Sequence, residues 1–267
     1  MVAGLRANVR RGCVLVMLAA MLLILARPAA AADVPQINWI PAVKGIEYAQ
    51  LPLLSFAKQW GSIVAVRIDP AAVMFRIYYH EGNRKTIPQW AAELPGAALI
   101  INANYFHPNG HPVGLVRIGD AILNPPTDRP DSGQFQVRDE IPAIGPLITK
   151  AIATPSKLYT ESFEGFPLLI AHTQPITTYA DDTAMAKARR TVIAQDDTGH
   201  ILIFVTWPTE MTLPEMTHWL LNSGLSIVDA LNLDGGASTQ IHLISAALPQ
   251  ALQGDASVPV VLAVFPR

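Results

Sequence analysis

The chain has 267 residues, 15% of them charged, and carries a formal charge of −2. Its 19 basic and 21 acidic residues leave no basic surplus of the kind a nucleic-acid binder spreads over phosphates. A single cysteine, Cys13, excludes an internal disulfide framework, and a chain of this length can bury an adequate core without one.

The N-terminus reads as a secretory signal over residues 1–32. Arg6, Arg10 and Arg11 precede the apolar run Val14 to Ala26, which falls well short of the roughly 20 residues a membrane-spanning helix needs. Ala30-Ala31-Ala32 then offers a small-residue cleavage pattern ahead of Asp33. An uncleaved anchor is the competing reading. Cleavage after Ala32 takes away four arginines and no acids, leaving 15 basic against 21 acidic residues, a formal −6. The cysteine leaves with the signal, so the remainder has neither a disulfide nor a thiol for catalysis. A periplasmic or secreted location follows, with no membrane contact after cleavage. Residues 33–60 are expected to be an N-terminal extension to a domain spanning 61–267.

Within that domain, short apolar and β-branched stretches alternate with Gly, Pro and Asp turns. Residues 62–68, 73–79, 97–101 and 113–118 read as strands. Between them, Thr86-Ile87-Pro88-Gln89 has capping-box spacing with an early proline, and Leu94-Pro95-Gly96 ends that helix. Gly119-Asp120 turns the chain into Ala121-Ile122-Leu123. Residues 123–132, with three prolines, are expected to be an exposed loop leading to Gly133. Strands at 191–194 and 201–205 flank Asp196-Asp197-Thr198-Gly199, a hairpin turn. Thr212-Leu213-Pro214-Glu215 opens a second helix that Gly224 stops. Strands at 227–233 and 240–244 flank a third turn, and 258–264 closes the chain. The fold class is α+β: a single compact domain with a mainly antiparallel or mixed strand core and a few flanking helices.

Three stretches carry unusual polar chemistry. In Ile101-Asn102-Ala103-Asn104-Tyr105-Phe106, an apolar strand offers two asparagines at i and i+2, on one face. In Leu231-Asn232-Leu233-Asp234-Gly235-Gly236-Ala237-Ser238-Thr239, Asn232 and Asp234 share a face. The two glycines after them let backbone approach a bound group. Arg189-Arg190-Thr191 stands directly before a strand, and arginine's planar fork suits phosphate. Each stretch also has a plain reading, as a strand end, a hairpin turn and a solvated face. His107 and His111 flank Pro108-Asn109-Gly110 without further clustered ligands, so a surface role outweighs a metal pair. Asp196 to Gly199 lacks the downstream acid of a calcium loop. Gly-x-Ser-x-Gly is absent, which argues against a serine hydrolase. Trp90, Trp207 and Trp219 are candidates for stacking on sugars.

Taken together, Asn102-x-Asn104-Tyr105-Phe106, Gly165-Phe166-Pro167-Leu168-Leu169-Ile170, Arg189-Arg190-Thr191 and Asn232-Leu233-Asp234-Gly235-Gly236 resemble the phosphodiester glycosidase family in order and spacing. The resemblance covers roughly residues 60–265. It departs at Ala237, where relatives often have a third glycine. It departs also at Glu161-Ser162-Phe163-Glu164-Gly165-Phe166-Pro167, where many carry Gln-Ser-Gly-Pro. It implies a compact domain that hydrolyses sugar-phosphate diesters at the anomeric carbon.

An ordinary glycosidase needs one carboxylic acid to protonate a poor leaving group. A phosphate monoester leaves without that help, so what must be stabilised is the positive sugar ring and the departing phosphate. On this reading Asp234 serves the ring, as nucleophile or as electrostatic stabiliser, and Glu161 or Glu164 is the candidate second carboxylate. Arg190 and the amides of Gly235 and Gly236 serve the phosphate. Asn102, Asn104, Tyr105, Thr191, Asn232, Ser238 and Thr239 complete substrate binding. No cofactor is required and no metal site is assigned, with a divalent ion left open. The partner is a carbohydrate phosphodiester. The rival from another class is a non-catalytic glycan- or phosphate-binding module on the same fold.

Overall fold

Ile201 to Thr206 is an apolar run ending in threonine, and all six residues are buried. Such a run fits a strand covered on both faces. The computed structural model, which describes residues 37–55, 58–147, 161–245 and 251–267, bears this out. Ile201, Ile203 and Val205 enter one core cluster, while Leu202 and Phe204 enter another. The stretch expected to be a signal, residues 1–32, lies outside the described residues; Ile37–Arg267 is one compact unit.

Among the described residues the strands, numbered in chain order, form three sheets. The largest runs β1 (Ile40–Val43), β2 (Ile46–Ser55), β3 (Lys58–Ile68), β14 (Ile201–Thr206), β13 (Thr191–Asp196), β15 (Ile227–Asn232), β11 (Leu168–Ala171), β12 (Gln174–Pro175). The stretch ahead of residue 61 therefore supplies β1 and β2 to the same sheet as the rest. The second sheet runs β7 (Ala121–Asn124), β6 (Val116–Ile118), β10 (Glu161–Gly165), β8 (Gly133–Arg138), β9 (Ile141–Pro146). The third runs β17 (Ala251–Leu252), β16 (Ile241–Leu243), β5 (Leu99–Asn102), β18 (Val260–Pro266), β4 (Val73–Tyr79). Each strand pair among the described residues is antiparallel.

One face of the large sheet packs on both smaller sheets: Val66, Ile193, Ile203 and Leu231 share a cluster with Phe75, Ile101, Phe135, Phe163 and Leu262. Helix α1 (Ile87–Glu93) lays the buried Trp90 on β5 and β18. Helix α2 (Leu213–Asn222) covers the other face of the large sheet with Leu213, Met216 and Leu220. Both helices start as their sequences dictate. Thr86 N donates to Gln89 Oε1 at 2.9 Å; Glu215 N donates to Thr212 Oγ1 at 3.2 Å and Thr212 N to Glu215 Oε2 at 2.7 Å.

The fold is richer in strand than a balanced α+β domain, with two α-helices among the described residues. The pattern did not signal β2, whose buried positions are apolar, nor β8 and β10, whose buried positions include polar residues. β10 buries Glu161, Ser162 and Glu164, and β8 buries Gln134, so alternation of apolar and polar residues is lost there. The third expected turn is also revised. β15 pairs with β13 and β11, whereas β16 pairs with β5 and β17, so residues 233–240 cross between sheets rather than closing a hairpin.

Candidate active site

The site is assembled where strands of different sheets end together. In the β13–β15 ladder Val192 faces Asn232, and Leu233 N donates to Thr191 O at 2.9 Å. That register sets Arg190, just before β13, beside Asp234, just after β15. The third sheet joins through Asn102 at the end of β5. Its Nδ2 donates to Asp234 O at 2.6 Å, and its Oδ1 accepts from Thr191 Oγ1 at 2.8 Å and Gln240 N at 3.2 Å. Asp234 N in turn donates to Ala103 O at 3.0 Å.

The two glycines are needed for different reasons. A Cβ on Gly235 would meet Arg189 O at 2.7 Å, whereas Gly236 has φ +60° with open space around it. Their amides are already engaged. Gly235 N donates to Asp234 Oδ1 at 2.8 Å, and Gly236 N to Arg189 O at 2.8 Å. The expectation that these two amides face the phosphate is therefore corrected; one holds the carboxylate and the other holds the loop. Ser238 also bonds the Asp234 side chain. Burial nevertheless wins over these two bonds and pushes the Asp234 carboxyl up to about 6.

Asp234 and Arg190 line one cleft of about 440 Å³. Arg190 is buried, with Nε donating to Met211 O at 2.8 Å and Nη2 to Ala186 O at 2.5 Å. Among the described residues no carboxylate pairs with it, and burial draws its pKa down from the ordinary value. Carbonyl dipoles hold the guanidinium in place without cancelling its charge. Tyr105 lines the same cleft, stacked on Phe166 with ring centroids 4.3 Å apart. Its hydroxyl accepts from Asn232 Nδ2 at 2.6 Å, which leaves its own proton to donate. Burial and the nearby Asp234 charge raise the Tyr105 pKa, so that proton is retained.

Several expected residues serve the frame instead of the cleft. Asn104 Nδ2 donates to Leu115 O at 3.0 Å, and the Thr191 hydroxyl is spent on Asn102. Thr239 is fully buried beneath the loop. The second carboxylate is not found at Glu161 or Glu164. Glu161 accepts from Ile77 N on the edge of β4, with Arg76 Nε 3.7 Å away, and burial pushes it up to about 7. Glu164, with no exposed surface, accepts from Leu115 N and Thr127 N, both at 2.9 Å, from Ser132 Oγ at 2.5 Å, and from Thr127 Oγ1. Both carboxylates sit within β10; Glu161 turns to β4, and Glu164 to the segments around Leu115 and Thr127 to Ser132.

The tryptophans are likewise elsewhere. Trp90 donates to Val258 O, Trp219 meets Phe204 edge-on, and Trp207 lies under the Arg189 guanidinium. His107 and His111 close a turn, His107 N donating to His111 O at 2.8 Å.

What the sequence reading missed is the far wall. Of residues 123–132, expected to be an exposed loop, the first two belong to β7, and the rest bring Arg129 and Asp131 to the cleft. Arg129 binds Asp131 through two bonds of 3.0 Å and Asp181 through one of 2.8 Å, and its guanidinium lies 4.3 Å over the Phe166 ring. Asp131 also accepts from Ala180 N at 2.9 Å. Arg129, Asp131 and Asp181 all line the cleft, with Tyr179 beside them. The one signal in the sequence was an arginine and an aspartate two apart inside a proline-rich stretch.

A profile of the phosphodiester glycosidase family matches residues 95–265, more than half of the chain. No curated protein matches the sequence. Among solved structures, one similar fold is the catalytic domain of zebrafish N-acetylglucosamine-1-phosphodiester alpha-N-acetylglucosaminidase, auto-inhibited by its pro-peptide. It has a TM-score of 0.65 at 16% identity, over 88% of this chain and 85% of that one. A hypothetical protein from Synechocystis has a TM-score of 0.64 at 18% identity, over 88% of this chain. The chain spans 65% of that protein's length. At these identities the likeness is one of fold, while the matched span holds Asp234, Arg190, Tyr105 and the Arg129 wall. The chain belongs to the phosphodiester glycosidase family.

Proposed function

We propose that the chain is an exported hydrolase that cleaves the glycosidic bond of a sugar-1-phosphodiester. One observation carries this reading: a desolvated carboxylate, Asp234, and a buried guanidinium with no carboxylate partner among the described residues, Arg190, converge on one cleft. A phosphodiester of a sugar has the matching pair of features, a carbon that becomes positive and a phosphate that becomes more negative as their bond breaks.

In the proposed reaction the bond from the anomeric carbon to the phosphate oxygen breaks and its electron pair leaves with the phosphate. Arg190 receives the growing negative charge, pre-aimed by the carbonyls of Met211 and Ala186, so little reorganisation is needed. Asp234, ionised above about pH 6, faces the ring carbon as nucleophile or stabiliser. Water supplies the new oxygen on the sugar and a proton to the products. The Tyr105 hydroxyl donates to a substrate oxygen beside Asp234. Arg129, Asp131 and Asp181 offer donors and acceptors for sugar hydroxyls at the polar wall.

The test is release of free sugar and phosphomonoester by the purified protein from a panel of sugar-1-phosphate diesters, with Asp234→Asn alongside. Release by the wild type and a drop of about a thousandfold in the variant support the reading. Equal turnover by both proteins removes Asp234 from it. Binding of the diesters without turnover by the wild type favours the non-catalytic glycan- or phosphate-binding module instead.

A further inference from the structure

The two ends of the cleft differ in chemistry. At one end Arg129, Asp131 and Asp181 are bonded to one another. At the other, Arg190 reaches the carbonyls of Ala186 and Met211, and Met211 pairs in turn with Ala188. The cleft is lined there by Ala184, Ala186, Ala188 and Leu213, and the polar side chain beside them, Thr183, spends its hydroxyl on Asp181. Met185, next along the chain, is 63% exposed. The acids whose charge reaches Arg190 from this side are Glu210 and Glu215. Glu215 is paired with Lys187 at 3.8 Å.

These observations constrain whatever lies beyond the phosphate. A sugar or polyol pressed on alanine and leucine side chains leaves its hydroxyls without partners, at a cost for each. An anionic group there meets Glu210, while Glu215 is already paired with Lys187. An alkyl chain loses nothing by leaving water and gains by covering the alanines and Leu213. Given the reading of Arg190 as the phosphate's anchor, on which this rests, we infer that the alcohol esterified to the phosphate is uncharged and apolar. The substrate class is thus a sugar joined through phosphate to an alkyl- or prenyl-type alcohol.

The test uses simple phosphate monoesters as probes of the leaving half: methyl, hexyl and glycerol 1-phosphate, titrated by NMR into the full chain. Hexyl phosphate should bind at least about tenfold more tightly than methyl phosphate, the gain expected from burying roughly two methylenes. Glycerol 1-phosphate should bind no more tightly than methyl phosphate. Ala186→Gln, at an exposed position in the wall, should cut the hexyl-to-methyl ratio by about threefold or more. Methyl phosphate binding that Arg190→Gln abolishes, with hexyl no tighter or glycerol tightest, overturns the apolar aglycone and leaves the phosphate site standing. A hexyl preference untouched by Ala186→Gln also overturns it. No binding of any of the three removes the phosphate site and the inference together.

Discussion

The side-chain amide of Asn102 donates to the backbone carbonyl of Asp234 at 2.6 Å, from a strand of the third sheet to a loop that leaves the first. The same side chain accepts from Thr191 Oγ1 and Gln240 N, so one asparagine ties both sheets to the candidate catalytic carboxylate. Replacing it with alanine strands these buried groups. Asn102→Ala should lower stability by about 3 kcal/mol and the melting midpoint by roughly 6–12 °C, and turnover should fall with it. Thermal melting and a turnover assay on the same sample check both.

Asp234 supplies a stability prediction besides its proposed role in turnover. Its folded pKa, about 6, lies above the ordinary value of 3.8, so the folded state holds the proton more tightly. Its contribution is fully present below about pH 4 and is lost as pH rises through about 6. Asp234→Asn, which is never charged, should therefore be more stable than the wild type at pH 7.5, by at most about 3 kcal/mol. The gain should vanish near pH 4. In the wild type, kcat/KM should rise with pH through about 6, as the carboxylate forms. A wild type that is the more stable protein at pH 7.5 would contradict the burial argument.

Arg190 should not tolerate lysine. The guanidinium reaches two carbonyls and still faces the cleft, whereas an ammonium lacks the fork to do all three. Arg190→Lys should lower kcat/KM about a hundredfold on any diester that is turned over. Steady-state kinetics across two substrates separates this from a change confined to one aglycone.

Glu164 acts on the cleft through the loop it anchors. It gathers Leu115 N, Thr127 N and the hydroxyls of Thr127 and Ser132, and so fixes the stretch that carries Arg129 and Asp131. Glu164→Gln puts an amide N–H where an acceptor is needed. KM should rise several-fold with kcat nearly kept, because the proposed reacting pair, Asp234 and Arg190, is held by other elements, at the ends of β13 and β15. A fall in kcat with KM unchanged would place Glu164 in the chemistry instead.

Glu161 predicts a second pH dependence, remote from the cleft. Its pKa, about 7 in the fold against an ordinary 4.5, again means stability present at low pH and lost as pH rises through about 7. Glu161→Gln keeps an oxygen for Ile77 N and should flatten the decline in melting midpoint between pH 5 and 8.

Much of the frame was legible because its strands are apolar and its turns are glycine and aspartate. β4 and both capping boxes stand where the pattern puts them, and the Asp196 turn is held by Asp196 Oδ1 accepting from Thr198 N and His200 N. The Asp234 loop and Arg190 could be picked out because polar residues interrupt buried strands at their ends. Glu161 and Glu164 misled for the opposite reason. Their charge suggested chemistry, and only the fold shows that backbone amides and hydroxyls consume it. Arg129, Asp131 and Asp181 could not be grouped from sequence, since a guanidinium joins residues some fifty positions apart.

Arg190 and Asp234 adjoin directly hydrogen-bonded neighbours, β13 and β15, whose separation is set by the ladder at about 4.8 Å. The proposed reacting pair thus inherits its spacing from the least variable length in a protein. Much of the wall comes from Arg129, Asp131 and residues 179–188, connecting segments outside the sheets that hold one short 3-10 helix. Changes confined to these two segments would therefore alter what the cleft admits, while the carboxylate and the guanidinium stay in register.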